Sequence, residues 1–474
     1  MPTPRPTIEQ ARAPVVSVPY AQGRGFLTLL RNPSFLKLWL AQVISQTMVS
    51  AASYGMVVLI AIQSQSVTAT GGAIVAFSLP TALFAAPAGV FVDRLDKRRV
   101  MWVSNALRGI VSLGFVASLF IDSHALVPVY LLSFSVALIS QFFAPAEGAA
   151  IPLLVHADEL PNALGLFNLT YAISQAAGLI VLGPLILAAV PQFTLGAARH
   201  PLIVTQVELL FLLIALLYGV CVLLILAIPR ARLTGRSLRG THHGFSVEDL
   251  RLRGLWKGVT EGWMFMKTDR RLLVSMLQFS LGNTVLSTVA MIAPRFVEEF
   301  FHQPPQFAAL VFLPAGIGLI LGSIVVPQAV KRVRGSHLIL AGFLTLAISM
   351  LLITFARWVA TMVYGAGAFN HALPYLGAIL ALTFALGVGL DLVNVPSQTV
   401  MQQRSPDWIK GRILALQIMI SNAFTVPVLI VVGLFADAIG LSPAITLVAL
   451  GTLAAGSVSV LIQARYRRHT AQKA

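Results

Sequence analysis

Long apolar stretches recur along the chain at near-regular intervals, separated by short and mostly basic polar connections. They fall at about 36–62, 72–92, 100–120, 126–151, 164–190 and 202–228. After a break they resume at 272–293, 307–330, 337–355, 373–401, 413–437 and 443–464. Each is long enough to cross a hydrocarbon core of ~30 Å at about 1.5 Å per residue. Inside lipid only a helix satisfies every backbone group within one such segment. The pattern therefore predicts an all-α integral membrane protein with twelve transmembrane helices.

The remaining segments complete the organisation. Residues 1–35 are polar, Pro-rich and basic, without the short apolar run of a cleaved signal peptide, and are expected to form a disordered cytosolic N-terminus. Residues 36–228 would form one six-helix bundle and 272–464 a second, followed by a basic cytosolic tail over 465–474. The connection 229–271 is the longest polar one. Within it Ser246-Val-Glu-Asp has the look of a helix start, and Val247, Leu250, Gly254, Leu255, Val259 and Trp263 follow at helical spacing. That spacing predicts an amphipathic helix on the inner membrane surface, serving as a linker between the halves or packed on the bundle for stability alone.

Composition narrows the picture. The chain is 57% apolar and only 11% charged, where soluble proteins carry about 25% charge. A soluble enzyme is excluded. A single cysteine, Cys221, excludes a disulfide-built fold. The net charge of +16 resolves once it is sorted by loop. Of 33 Lys and Arg residues, 29 fall on one side of the twelve spans; the other loops hold Arg199, Arg295 and Arg357, and Arg108 lies inside span three. This positive-inside bias places both termini and the central connection in the cytoplasm, and the charge is spread over membrane-proximal loops rather than gathered as a nucleic-acid surface.

The halves repeat each other. Ala144-Pro145-Ala-Glu147 followed by Asp158 has its counterpart in Val395-Pro396-Ser-Gln398 followed by Asp407. A repeat of six and six spans around one long connection is the outline of a transporter that rocks about a central site.

Gly89-Val-Phe-Val-Asp93-Arg94-Leu-Asp96-Lys97-Arg98-Arg99 closes the second span. Gly89 lets another helix approach its backbone, and Asp93 can face an arginine or a helix N-terminus. This segment resembles the signature loop of the major facilitator superfamily: Gly, three residues, Asp-Arg, then a basic pair. The resemblance implies the two-bundle major facilitator fold and a gating motif of Gly89, Asp93, Arg94, Lys97, Arg98 and Arg99. In it Asp93 would hold the halves together on the cytoplasmic side, against the start of span eleven around Lys410–Ile413. Asn32-Pro-Ser-Phe-Leu-Lys-Leu-Trp39 with Gln42 and Ser45, Glu261-Gly262, and Pro406-Asp407 with Gly411-Arg412 are similar to the bacterial macrolide-efflux and enterobactin-exporter branch. That branch implies a monomeric efflux carrier in the bacterial inner membrane. Two positions depart from it: Ser45-Gln-Thr-Met-Val-Ser-Ala in span one has no acid, and Gly178 precedes Gly183-Pro184 by five residues where the antiporter signature has four.

Ionisable groups inside a span are costly and mark candidate chemistry. Arg108 in span three and Glu147 in span four lie within reach of one another. Either Glu147 takes up a proton and releases Arg108, or the two form a static ion pair. Asp391 in span ten is the third proton-coupling candidate, while Glu208 and Asp437 are placed at the interface. The superfamily resemblance implies that spans one, four, seven and ten line the cavity. Their polar and aromatic members are Gln42, Gln46, Tyr54, Gln141, Phe142, Gln278, Asn283 and Phe384. That mostly neutral set suits a small amphiphilic substrate. No phosphate-binding loop or zinc motif occurs, and His242-His243 makes a weak metal site, so no cofactor or metal is expected. The remaining alternatives are an uptake carrier or uniporter of the same fold, and a transport-dead sensor or scaffold.

Overall fold

A computed structural model describes residues 29–93, 95–122, 126–156, 159–190, 193–195, 202–233, 263–364, 373–406 and 410–471. Twelve helices are long and apolar enough to cross a membrane. In the first half α1 spans Pro33–Ser64, α2 Val67–Asp93, α3 Lys97–Ile121 and α4 Leu126–Leu154. Helix α5 runs over Leu160–Ala176, through a π-helical turn Ala177–Leu182, into Gly183–Ala189, and α6 is Gln206–Leu226. In the second half α7 spans Arg270–Phe301, α8 Ala309–Arg332, α9 Gly335–Tyr364, α10 Leu373–Arg404, α11 Lys410–Ile439 and α12 Leu441–Ala471.

The predicted spans are all present, with two differences of physical interest. The sixth was expected from residue 202, but Leu202–Val204 is a strand, β2, paired antiparallel with β1 at Phe193–Leu195. The helix starts only at Gln206, where Thr205 and Glu208 form a reciprocal capping box that satisfies its first N–H groups. The seventh was expected to end near residue 293, yet α7 continues through Pro294 to Phe301. The charges that ended the apolar pattern are paired there: Arg295 with Glu299 at 2.9 Å, and Arg357 of α9 with Glu299 at 3.2 Å.

Consecutive helices alternate in direction, so the basic connections share one face. Several of them tie helix ends together on it. Lys37 donates to the Ala227 carbonyl at 2.9 Å, Arg98 to the Leu226 carbonyl, and Arg230 pairs with Asp96 at 3.2 Å. The two halves repeat one tie. Asn32 caps α1 and donates to the last carbonyl of α4, Leu154, at 2.7 Å. Asp269 caps α7 and accepts from Arg404 at the end of α10 at 2.7 Å. Residues 246–259 of the expected surface helix lie outside the described residues, as do the N-terminal tail and residues 472–474. Residues 263–268 are helical, and Met266 is buried against Leu272, Met276, Met401 and Ile413.

Packing differs between the two faces. Toward the basic face the buried apolar residues form two clusters, one built from each half, around Phe35, Met101 and Phe143 and around Leu272 and Met401. A third cluster contains residues of both halves. In the second half it reaches back to Ile339 and Phe343 near the start of α9. Toward the opposite face it takes in Ile60, Val67 and Phe211 of one half with Met291, Phe300 and Leu429 of the other. The halves are joined at that end.

Candidate functional site

A cavity of about 340 Å³ lies inside the first half, bounded by α1, α2, α3, α4 and α5. Four glutamines line it: Gln42 and Gln46 from α1, Gln141 from α4 and Gln175 from α5. Ser45, Ser50, Ser53, Thr81, Ser140 and Tyr171 add hydroxyls, while Val49, Phe77 and Leu179 supply an apolar wall. Arg108 and Glu147 both open onto it.

Arg108 lies eleven residues into α3, roughly 16 Å along the helix. It is only 2% exposed. Its Nη1 donates to Ser45 Oγ at 2.7 Å and to Asn105 Oδ1 at 3.4 Å, and the guanidinium sits 4.9 Å from the centre of the Phe143 ring. Its Nε has no acceptor. Glu147 sits seven residues before the end of α4 and has one buried oxygen without a donor. No carboxylate oxygen lies within 4 Å of Arg108 among the described residues. The expected Arg108–Glu147 ion pair is therefore not formed. Asn105 and Ser45 hold the guanidinium instead, because they share its level on α3 and α1.

Three of the eight expected cavity residues, Gln42, Gln46 and Gln141, line this space. The other five are engaged or placed elsewhere. Tyr54 lies eight residues beyond Gln46 toward the opposite face, where its hydroxyl donates to the Gln306 carbonyl across the halves at 2.6 Å. Phe142 packs edge-on against Phe91 of α2. Gln278 and Asn283 of α7 turn into their own bundle, donating to Ser459 of α12 and Ser421 of α11 at 3.2 and 3.1 Å. Phe384 is half-buried on α10 and lies outside the lining. The alternation of polar and apolar positions could not separate a side chain facing the cavity from one bonding a neighbouring helix. Asn105, Tyr171 and Gln175 have no mark in the sequence, and Ser45 enters it only through the family resemblance; the helix packing brings all four to Arg108 and the cavity.

Asp391 is 9% exposed and has an oxygen, Oδ2, without a donor; Asn394 Oδ1, one turn on, also lacks one. The carboxyl lies against Gly322 of α8, where a Cβ would stand 2.8 Å from it.

Of the signature loop, the side chains of Gly89 and Asp93, and Arg94 altogether, lie outside the described residues, as do those at the start of α11. Lys97 donates to the carbonyls of Val92 and Leu95, both at 3.1 Å, closing the end of α2. Arg98 caps the end of α6, and the Arg99 N–H donates to Asp96 Oδ1 at 3.3 Å. Asp96 is the acid that caps α3.

The five-residue spacing of Gly178 and Gly183 has a structural reason. The π-helical turn makes the Gly183 N–H donate to the Gly178 carbonyl, five residues back, so one extra residue is absorbed without turning either glycine off the α1 face. A Cβ at Gly178 would stand 2.7 Å from Ser50 Cβ and closer still to the Thr47 carbonyl; at Gly183 it would stand 2.8 Å from Tyr54 Cδ1. The backbones of α1 and α5 touch here because both residues lack a side chain.

The architecture of twelve membrane-spanning helices agrees with comparison to known proteins. The family model described as Major Facilitator Superfamily matches residues 38–422. The chain belongs to the Major Facilitator Superfamily. Among relatives of this superfamily member is "Uncharacterized MFS-type transporter YkuC" of Bacillus subtilis (strain 168), 21% identical over 399 residues, covering 82% of this chain and 83% of that protein. Similar solved structures include the nucleoside transporter NupG (TM-score 0.66, 13% identity, 90% of this chain and 98% of that one). A bacterial homologue of the iron transporter ferroportin in an inward-facing state is also similar (TM-score 0.66, 12% identity, 92% and 99%). At these identities the likeness is one of fold. The superfamily member is a multi-pass membrane transporter and not an enzyme, and its cargo is a small molecule.

Proposed function

We propose that the chain is a proton-coupled secondary exporter that moves a small amphiphilic compound, drug- or siderophore-like, by alternating access. The observation that carries this reading is the 340 Å³ cavity holding Arg108 and Glu147 without an ion pair between them. Protonated, Glu147 is neutral and leaves the cavity to the amides and to Arg108. Deprotonated, it is an anion that needs donors, supplied by Arg108 Nε, which lacks an acceptor, or by a substrate with N–H or O–H groups. Proton and substrate then compete for one carboxyl, which is the condition for exchange. Asp391 offers a second protonation site in the other half, since a proton would remove the charge of a buried carboxyl whose Oδ2 has no donor.

The close α1–α5 contact at Gly178 and Gly183 supports the antiporter reading, because the π turn preserves the small-residue face despite the altered spacing. Outward direction rests on the residues that resemble the macrolide-efflux and enterobactin-exporter branch, Asn32 to Trp39 with Gln42 and Ser45 among them. The 29 basic residues on one face support cytoplasmic termini, a cytoplasmic linker over 229–271 between two bundles, and residence in a bacterial inner membrane. With that orientation the joined face is the outer one and the captured state faces inward. In the other state, Asp93 and the basic residues of its loop would close the cytoplasmic face against α11.

The test is reconstitution in liposomes with an imposed pH gradient, screening lipophilic cations, macrolides and siderophores. Accumulation driven by the gradient in the wild type and lost in Glu147→Gln, with counterflow retained, supports the reading. Full flux with no response to the gradient contradicts it.

A further inference from the structure

The two halves are joined on the face opposite the basic one by a carboxylate that the transport reading does not use. Asp437 lies two residues before the end of α11, and its oxygens turn to the start of α2 in the other half. Asp437 accepts from the Ser66 hydroxyl at 2.6 Å, the Val67 N–H at 2.8 Å and the Thr68 N–H at 3.1 Å. Ser66 Oγ in turn accepts from the Ala69 N–H at 3.1 Å. The first N–H groups of a helix have no acceptor in their own helix and carry its partial positive charge. Here Asp437 completes in trans the cap that a residue of α2 would ordinarily complete in cis.

The surroundings bring the two ends together. Gly433, one turn earlier on α11, lies against Thr68, where a Cβ would stand 2.8 Å from Thr68 Cα. Gln65, in the left-handed conformation at φ 51°, makes the corner before α2, and Arg295 of α7 donates to its Oε1 at 3.0 Å. A start of α2 that moved away with its half would leave Asp437 and three donors to water.

Helices α2 and α11 run antiparallel, so each end of the pair sets the end of one helix beside the start of the other. On the basic face α2 ends at Asp93 and α11 begins at Lys410. The sequence thus sets an aspartate at the end of one helix beside the start of the other at both ends of the pair, with the helices exchanged.

We propose that Asp437 is a latch that holds the opposite face shut, and that Asp437 and Asp93 are made and broken alternately as the halves rock. The alternation rests on the transporter reading above; the latch rests on the cross-bundle contact itself. The residue acts by setting which face is closed, not by touching cargo.

The test measures the equilibrium directly, without substrate, on the full chain in nanodiscs. Spin labels at Ile121→Cys on α3 and Met362→Cys on α9, exposed positions near the joined face in opposite halves, report its opening. Asp437→Ala is expected to raise the ratio of long to short distances about five- to thirtyfold, the equivalent of one to two kcal/mol. Asp437→Asn, which keeps one acceptor, should give a smaller shift. Asp93→Ala should move the ratio the other way, and the double substitution should return it toward the wild type. Ser66→Ala, which leaves the carboxylate in place, provides a milder lesion should Asp437→Ala fold poorly, and is expected to shift the ratio in the same direction. A lowered thermal midpoint with an unchanged distance distribution in every Asp437 and Ser66 variant would overturn the latch and leave a structural cap. A shifted distribution in a protein that moves none of the screened compounds would keep the latch and count against the transport reading.

Discussion

Replacing Gly178 by alanine adds one methyl group at the place where α5 meets the α1 backbone. The new Cβ would stand 2.7 Å from Ser50 Cβ, 3.0 Å from the Ala51 nitrogen and closer to the Thr47 carbonyl. Carbon–oxygen contacts settle near about 3.3 Å or more, so α1 and α5 must part by roughly 1 Å or store the strain. Two of the three neighbours are backbone atoms of a helix and cannot rotate away. Overpacking of this kind costs typically 1–3 kcal/mol, against a helix-propensity gain for alanine of at most about 1 kcal/mol. The net expectation is a loss of roughly 1–2 kcal/mol, which is also a displacement of the wall that carries Gln175 and Leu179 along the cavity. Gly165→Ala on the same helix is the control, because nothing lies within 4 Å of a Cβ there. Thermal unfolding in detergent, with flux from liposomes alongside, checks the pair. Gly178→Ala should unfold several degrees earlier and transport less, while Gly165→Ala should match or exceed the wild type. Equal stability and flux in the two variants would refute the claim that the π turn exists to hold α5 against α1.

Arg108→Met removes a buried cation that has no acid partner, so the thermal midpoint should hold or rise while gradient-driven flux falls at least tenfold; a large loss of stability would show that the guanidinium is mainly structural. Burial alone pushes the Asp269 carboxyl up, but the Arg404 guanidinium and the capped N–H groups of Leu272 and Arg271 outweigh it and hold the group below its ordinary 3.8. A depressed carboxyl stabilises the fold above its unfolded value and loses that contribution as pH falls through the folded one. Thermal midpoints of the wild type and Asp269→Asn should therefore differ near neutral pH and converge below about pH 4; a difference that persisted in acid would count against the Arg404 tie.

Most of the scaffold could be read from the chain because lipid imposes one solution on any long apolar segment. Span positions, the repeat of six and six spans and the segregation of basic residues needed no knowledge of packing. The site was legible only in part. Arg108, Glu147 and Asp391 stood out because charge inside a span is rare, yet the absence of an Arg108–Glu147 ion pair depends on Ser45 and Asn105 lying at the same level on two helices. Gln278 and Asn283 have the composition of cavity residues, but Ser459 and Ser421 draw them into their own bundle. Asp437 resembled an ordinary interfacial acid. Nothing near it in sequence reveals that its partner is the start of α2, 370 residues away. The spacing of Gly178 and Gly183 looked like a broken motif until the π turn supplied the extra residue.

The central claim is that a proton on Glu147 and a substrate compete in the cavity of the first half. Its most direct measurement is proton release on substrate binding, followed with a pH-sensitive dye in weakly buffered detergent solution. The probe is whichever lipophilic cation, macrolide or siderophore accumulates in liposomes. The account predicts that adding this compound to the wild type releases protons, and that Glu147→Gln binds it with no release. Binding without proton release in the wild type, or release undiminished in Glu147→Gln, would contradict the account.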